Sequence, residues 1–482
     1  MSKREHRKKA WSSGRDWVKK IVRPVAKAAL PKGRELQPEE WRLERAPDGA
    51  LSLGQVELRA LFEKWGSPLH VVDGERLDEN AARFMARPPA AAGSCEAYYS
   101  YKTNPVPGVL RRLHERGMGA EVVSAYELWL ALRLGVPPGR IVYNGPAKSP
   151  ESVIEAVRRE IGLLNVNSRA ELALLAATAR QLGKRPRIGI RVTLPGGWSG
   201  QFGEKVQTGA AMEAFREALA MPDLDVVALH CHLGGEIASL DRLDFLLSGV
   251  LAFADELRAR LGLDLEILDL GGSLACPTVG PRQRRASRVA EALGLQLPPR
   301  PPEDVLGIDA YVARIRERVE GQFTAKGRAT PRVFLEPGRA ATGNTQFLLC
   351  RVVRLREPEP SGLAWAVLDA GINVADAARS ESHQVFAIAP RPGSSRRPYR
   401  LVGPTCTPGD VLYGACMLPE LEEGDGLAIM DAGAYFVPYS TSFSYPQPGV
   451  ILIERGRVEP IRRIERFEDI VRRDILPEDP GP

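Results

Sequence analysis

The sequence predicts an α/β fold, a (β/α)8 TIM-like barrel followed by a C-terminal β-rich domain of barrel or sandwich type. Three observations carry this. From Leu69 to Glu336, short apolar runs alternate with polar turns and helix-like segments, the signature of parallel βα units. Residues with chemistry in them collect just after those runs, at the strand ends where the loops of such barrels build their sites. From about Thr345 onward helices thin out and strands dominate.

The elements follow in order. Residues 1–35 form a basic arm, in which positions 1–34 hold twelve Lys and Arg against Glu5 and Asp16. The rest of the chain carries 54 basic against 58 acidic residues, so the overall charge of +6 belongs to the arm alone. Trp17, Val18, Ile21, Val22, Val25 and Ala29 recur at helical spacing. A tail, or a helix packed on the body or on a partner subunit, is expected there rather than contact with a membrane or nucleic acid. Residues 36–66 are a short segment with two strands around the turn Pro47-Asp48-Gly49. Residues 67–344 hold nine candidate strands: Leu69–Asp73, Ala97–Tyr101, Ala120–Ser124, Ile141–Asn144, Leu163–Asn167, Arg187–Val192, Val226–His232, Leu265–Leu270 and Val333–Glu336. Nine exceeds a barrel's eight, and the first is the candidate to pair outside it. Between Pro277 and Asp304 a Pro- and Arg-rich excursion reads as a lid or a surface loop. Residues 345–482 form the β domain, with strands at Phe347–Leu355, Ala364–Leu368 and Gly449–Glu454.

Composition narrows the class. With 44% hydrophobic and 26% charged residues the chain reads as a globular protein with two packed cores. No run reaches the 18 or so apolar residues of a membrane span, and the arm lacks the pattern of a secretory signal. Six cysteines without paired spacing imply neither a disulfide framework nor a zinc site, and place the chain in a reducing cytoplasm.

Tyr101-Lys102-Thr103-Asn104 closes the run from Glu96 to Ser100 and puts Lys102 at a strand end. An isolated lysine there is a solvated surface group. In a low-dielectric pocket its ammonium pKa falls, and the free amine forms a Schiff base with an aldehyde cofactor. Its company favours the second reading: His230-Cys231-His232-Leu233-Gly234-Gly235, Leu270-Gly271-Gly272-Ser273, Glu336-Pro337-Gly338-Arg339, Gly403-Pro404-Thr405-Cys406 and Gly433-Ala434-Tyr435. This order resembles the fold-type III pyridoxal-phosphate decarboxylases, the diaminopimelate and ornithine decarboxylase family, from about Ser67 to about Val450.

The resemblance implies pyridoxal 5′-phosphate as cofactor and a role for each matched residue. Lys102 would carry the cofactor, and Glu336 would hold the proton on its ring nitrogen. His232 would stack on the ring. Gly271 and Gly272 match the phosphate cradle, with Ser273 in place of a third glycine. Gly338 and Arg339 belong to the same cofactor motif; Arg339 and Tyr435 would lie near phosphate and substrate. Cys406 would reach the neighbouring subunit's site and protonate the substrate carbon, which makes the enzyme a homodimer with shared active sites. The segment before the barrel joins the β domain in that family. His230 and His232, two apart on a strand, face one side as metal ligands do, but no third ligand is evident in the sequence and no metal is expected.

The departures are selective. Thr407 stands where the family has an acidic residue after the cysteine, Glu121 where it has an aspartate, Gly235 where it has a serine, and Gln201-Phe202-Gly203 where it has Lys-Phe-Gly. An Arg-Pro-x-Leu-Tyr segment that grips the substrate's far end is absent from the region after Asp369, where Arg379 is the candidate substitute. Groups serving the cofactor persist while those gripping the far end do not. A site built for a polar group rejects analogues strongly, so its loss signals another substrate. The expected function is α-decarboxylation of a small amino-acid-type molecule that is modified, larger or tethered to a carrier protein, in specialised metabolism such as a siderophore or antibiotic pathway. The alternatives are an amino-acid racemase or epimerase and an inactive regulatory homologue.

Overall fold

The computed structural model describes residues 35–85, 94–281, 299–358 and 363–475, with scattered positions at 22–28 and 289–297. Apart from Glu35 and five helical positions between 22 and 28, the basic arm lies outside the described residues. The chain divides into two compact units. One holds the residues up to Gly74, Thr278–Pro301 and the chain from Asn344 on; the other holds Glu75–Pro277 and Pro302–Gly343.

The second unit is a closed barrel of eight parallel strands. They are Cys95–Ser100, Gly119–Val122, Ile141–Tyr143, Leu163–Val166, Arg187–Thr193, Asp225–His230, Ile267–Asp269 and Arg332–Leu335. Each pairs with the next in sequence, and the eighth returns to the first through Leu335 opposite Ala97. Between strands run amphipathic helices. Leu240–Leu261 buries Leu243, Leu246, Leu247, Val250, Leu251, Ala254 and Leu257, a spacing of three and four that lays one stripe on the strands. Ser124, Ser149 and Ser239 cap three of these helices by accepting the amide three residues on, each worth about 1 kcal/mol. Tyr98, Val142, Leu163, Val227, Ala228, Ile267 and Phe334 form one buried apolar cluster of the strands.

The β unit is built on a sheet in the order Val411–Pro419, Arg396–Val402, Ala364–Leu368, Gln346–Arg356, Leu69–Asp73, Gly449–Glu454 and Arg457–Arg462. Gly426–Ile429 also pairs with Gln346–Arg356 and carries Val385–Ala387 on its other edge. The three β-domain strands expected from sequence lie in this sheet. So does the first of the nine barrel candidates, the one expected to pair outside: Leu69–Asp73 runs parallel to Gly449–Glu454 and antiparallel to Gln346–Arg356. All five of its residues are buried, so its sequence reads like that of a barrel strand, covered on both faces. The 67–344 span expected for the barrel therefore contains two pieces of the β unit, its first strand and Thr278–Pro301. In the second piece Gly280–Pro281 pairs with Glu381–Ser382, while part of the excursion's middle lies outside the described residues. The early turn at Pro47-Asp48-Gly49 joins Leu43–Arg45 to Leu51–Leu53 as an antiparallel pair.

Candidate active site

Each barrel strand places a buried polar side chain at its end or within two residues of it: Ser100, Glu121, Asn144, Asn165, Arg191, His230, Asp269 and Glu336, in strand order. Neighbouring strands stand in register here, Ser100 opposite Glu121 and His230 opposite both Arg191 and Asp269. Hydrogen bonds then cross the barrel. Asn144 Nδ2 donates to Glu121 Oε1 at 2.9 Å and to Glu336 Oε1 at 2.5 Å. Asn165 Nδ2 donates to Asn144 Oδ1 at 2.8 Å and to Asp269 Oδ2 at 2.7 Å. Each amide thus uses both of its hydrogens, which fixes its orientation. Ser100 Oγ donates to Glu121 Oε2 at 2.5 Å, and Gly271 N to Asp269 Oδ1 at 3.0 Å.

Charge decides the protonation of this layer. Burial, with Asp269 and Glu121 nearby, pushes the Glu336 carboxyl well above its usual range. Burial raises Asp269 to about 6, against hydrogen bonds from Gly271, Glu336 and Asn165. Glu121 is fully buried too, yet Lys102 and three hydrogen bonds bring it below the usual carboxylate range. Two carboxyls bonded to each other in a dry interior share one proton. With that proton in place, Glu121 and the Asp269–Glu336 pair balance Lys102 and Arg191. His230 stays neutral, since burial and Arg191 drive its pKa well below the ordinary value. His230, Asp269 and Glu336 bring donor atoms within 4.8 Å of one another, a third-ligand geometry the sequence did not display. A cation there needs both carboxyls ionised, which burial opposes.

A pH prediction follows for the cofactor-free protein. Asp269, raised in the folded state to about 6, contributes stability that is complete below about 4, the unfolded value, and is lost as pH rises through about 6. Asp269→Asn is expected to flatten the fall in unfolding free energy between those pH values, measured by urea melts. An unaltered slope would show that Asp269 takes up no proton in that range.

At the mouth, Lys102 sits in a single 3-10 turn, Tyr101–Thr103, directly after the first strand. Its Nζ donates to Glu121 Oε2 at 3.0 Å while the side chain stays 40% exposed. A reacting amine needs both properties, a fixed position and an open face. After the seventh strand the chain turns through Gly271, at φ +63°. A Cβ there would stand 2.5 Å from His232 Nδ1, and one on Gly272 would stand 2.4 Å from the Glu336 carbonyl oxygen, so only glycines allow this approach. Ser273 keeps a glycine-like φ of +80°, which costs a residue with a side chain about 1–2 kcal/mol. Its Oγ meets His232 Nε2 at 3.0 Å, and Gly272 N donates to His232 Nδ1 at 3.2 Å. Gly338 and Arg339 follow the eighth strand at the start of the helix Arg339–Thr342.

Residues 81–343, more than half of the chain, match the pyridoxal-binding domain of the pyridoxal-dependent decarboxylases. The chain belongs to that family. Over 439 residues the decarboxylase is 30% identical to the diaminopimelate decarboxylase of Aquifex aeolicus, covering 88% of this chain and 95% of that protein. It is 29% identical to that of Methanothermobacter thermautotrophicus over 443 residues, 89% and 96% of the two chains. A crystal structure of diaminopimelate decarboxylase from M. jannaschii with L-lysine has a TM-score of 0.80 to it, at 27% identity, over 90% of this chain and 98% of that one. The protein is therefore a pyridoxal-phosphate-dependent amino-acid decarboxylase. Among the described residues no helix is long and apolar enough to cross a membrane.

The barrel residues fit the cofactor. Both ring nitrogens of His230 and the Thr103 hydroxyl are buried without a hydrogen-bond partner among the described residues, which marks a polar space shaped for something else. The turn through Gly271 and Gly272 carries no side chain, and the Ser273 hydroxyl beside it is a donor suited to a phosphate. Of the residues expected from sequence, the decarboxylase brings Lys102, His232, Gly271, Gly272, Ser273, Glu336, Gly338 and Arg339 to the strand ends of one barrel. Cys406, Tyr435 and Arg379 belong to the β unit. There Asp410 is buried and accepts from Thr405 N at 2.9 Å, Thr405 Oγ1 at 2.5 Å and Ile372 N at 2.8 Å. These bonds pin the Gly403-Pro404-Thr405-Cys406 loop and leave Cys406 exposed on it. Tyr435, at φ +67°, stacks on Tyr439 with ring centroids 5.8 Å apart. Arg379 pairs with Asp376 at 3.0 Å in its own turn, both half-exposed, a contact of little energetic weight.

Five members of the layer, Ser100, Asn144, Asn165, Arg191 and Asp269, are not singled out by the sequence. One polar residue at the end of an apolar run is ordinary. Its recurrence in eight successive runs was the available signal.

Proposed function

We propose that this decarboxylase removes the α-carboxylate of an amino acid whose far end is not the charged group of diaminopimelate: a modified, larger or carrier-tethered amino acid of specialised metabolism. The observation that carries the reading is the split in what is retained. The residues serving the cofactor are present, while Thr407 and the missing Arg-Pro-x-Leu-Tyr segment remove the polar grip on the distal end. Arg379, the one candidate substitute, is engaged by Asp376.

In this reading Lys102 holds the aldehyde carbon, Glu336 the ring nitrogen, Gly271, Gly272 and Ser273 the phosphate, and Arg339 and Tyr435 the phosphate and substrate carboxylate. When bound, the pyridoxal ring supplies the electron sink for the breaking Cα–carboxylate bond. Glu336 keeps a proton for the ring nitrogen because burial, and after it Asp269, opposes its ionisation. Glu121 holds Lys102 Nζ in place and balances its charge. His232 covers one ring face and excludes water. Cys406 returns a proton to Cα. Carbon dioxide release measured over a panel of amino acids tests the substrate class. Preference for substrates extended on the side chain by about tenfold or more in kcat/KM, equivalent to about 1.4 kcal/mol, supports the proposal, and a preference for meso-diaminopimelate contradicts it.

The dimer is part of the same proposal, with Cys406 serving the neighbouring subunit. Lys102→Ala and Cys406→Ala subunits, each inactive alone, are expected to regain activity when dissociated, mixed and reassembled. A hybrid holds one site with both defects and one with neither, so a random mixture recovers up to about a quarter of wild-type activity by two-fold symmetry. Mass-verified hybrids as inactive as their parents would put Cys406 in its own subunit's site.

A further inference from the structure

One departure from the family pattern, Ser273, bears directly on a single side chain, His232. Gly272 N donates to His232 Nδ1 at 3.2 Å. A backbone amide only donates, so Nδ1 is unprotonated. The imidazole is neutral, because burial and Lys102 bring its pKa down to about 3. Its one proton therefore sits on Nε2, where Ser273 Oγ at 3.0 Å is the acceptor. Ser273 holds this hydroxyl from a left-handed backbone that glycine would adopt without strain, so the side chain's return comes through the bond it makes.

The ring plane is constrained from another direction. Trp198 packs on His232 with centroids 5.6 Å apart and planes at 40°. Its own amide donates to Leu233 O at 2.9 Å. Gly234, at φ +72°, makes room for it, since a Cβ there would lie 2.3 Å from Trp198 Cγ. Behind it Phe202 stacks at 5.9 Å and carries the Arg191 guanidinium at 4.5 Å from its ring centre. The buried polar layer thus continues through two aromatic rings to the histidine.

We propose that Ser273 and Trp198 are positioning residues that lock His232 as its Nε2–H tautomer in one ring orientation, set to lie against the pyridoxal ring. This rests on the reading that His232 faces the cofactor. Ser273 Oγ, accepting from Nε2–H, keeps its own hydrogen for an anion beside the glycine turn. One hydroxyl then serves both the histidine and the phosphate, and stands in for the serine missing at Gly235.

The test uses full-length protein labelled with ¹⁵N-histidine, first without cofactor, with His232→Gln to assign the signal. Wild type is expected to show one Nε2–H tautomer at His232. Ser273→Gly is expected to keep the tautomer, which Gly272 N also fixes, but to lose the Nε2–H proton signal to solvent exchange, with an unchanged or higher melting temperature. Its Kd for pyridoxal phosphate by equilibrium dialysis should rise by about tenfold, the scale of a lost charge-assisted hydrogen bond. A residue that served only the loop would move stability and affinity in the same direction. Trp198→Ala is expected to broaden the His232 signals, and Trp198→Phe to restore them. An Nε2–H signal as protected as in wild type, with wild-type affinity, in Ser273→Gly overturns the assignment of Ser273, and unbroadened His232 signals in Trp198→Ala overturn that of Trp198. If wild type binds no pyridoxal phosphate, the cofactor reading has failed, while the tautomer spectra still decide the lock.

Discussion

Lys102→Ala is expected to reduce turnover by about 10³-fold or more, roughly 4 kcal/mol of barrier, and to remove the visible absorbance of lysine-linked cofactor. The fold should survive. Lys102 is 40% exposed, and Glu121, which loses its cation, keeps Ser100 Oγ and Asn144 Nδ2 as donors. The loss of the cation should let the buried Glu121 carboxyl rise, since Lys102 is the strongest of the influences that lower it. Purified variant with wild-type melting behaviour, normal absorbance and near-normal carbon dioxide release would remove Lys102 from the chemistry.

Glu336→Gln is expected to bind the cofactor but to slow decarboxylation by about 10²-fold, about 2.7 kcal/mol. Glutamine preserves the frame: its oxygen still accepts from Asn144 Nδ2, and its amide still donates towards Asp269. What it lacks is the acidic proton for a ring nitrogen, so the electron sink weakens while the fit persists. A single-turnover rate close to wild type would mean that another group protonates the ring, or that ring protonation is not needed.

Most of the barrel was legible because each strand announces itself twice, as an apolar run and as a helix-bounded interval. The predicted Ile141–Asn144 and the observed Ile141–Tyr143, or Val226–His232 and Asp225–His230, differ only at their ends. The partner of Leu69–Asp73 was not legible. A strand buried on both faces carries no mark of which sheet covers it, and its neighbours come from positions about 280 and 380 residues further on. The motif residues of the barrel stood out because lysine, histidine and paired glycines are conspicuous beside apolar runs. Asn144 and Asn165 did not, since amides become informative only when their hydrogen bonds cross the barrel. Ser273 was legible as a substitution, but its engagement with His232 depended on a backbone conformation that sequence does not encode for serine. The Arg-Pro-x-Leu-Tyr segment is legible only as an absence, from which the proposed reading takes a class and not a molecule.

The central claim is that the buried layer prepares Lys102, and no other lysine, for the cofactor. A second lysine competes on physical grounds. Lys148 is only 1% exposed, and desolvation lowers its ammonium pKa, as expected of a reactive amine. Its Nζ, however, is already spent on Gly145 O at 3.0 Å, Asn165 O at 2.7 Å and Glu171 Oε2 at 3.2 Å. Borohydride reduction of the cofactor-loaded enzyme, followed by peptide mapping, decides between them. A pyridoxyl label at Lys102 alone is the predicted result, and a label at Lys148 or at any other lysine would contradict the account.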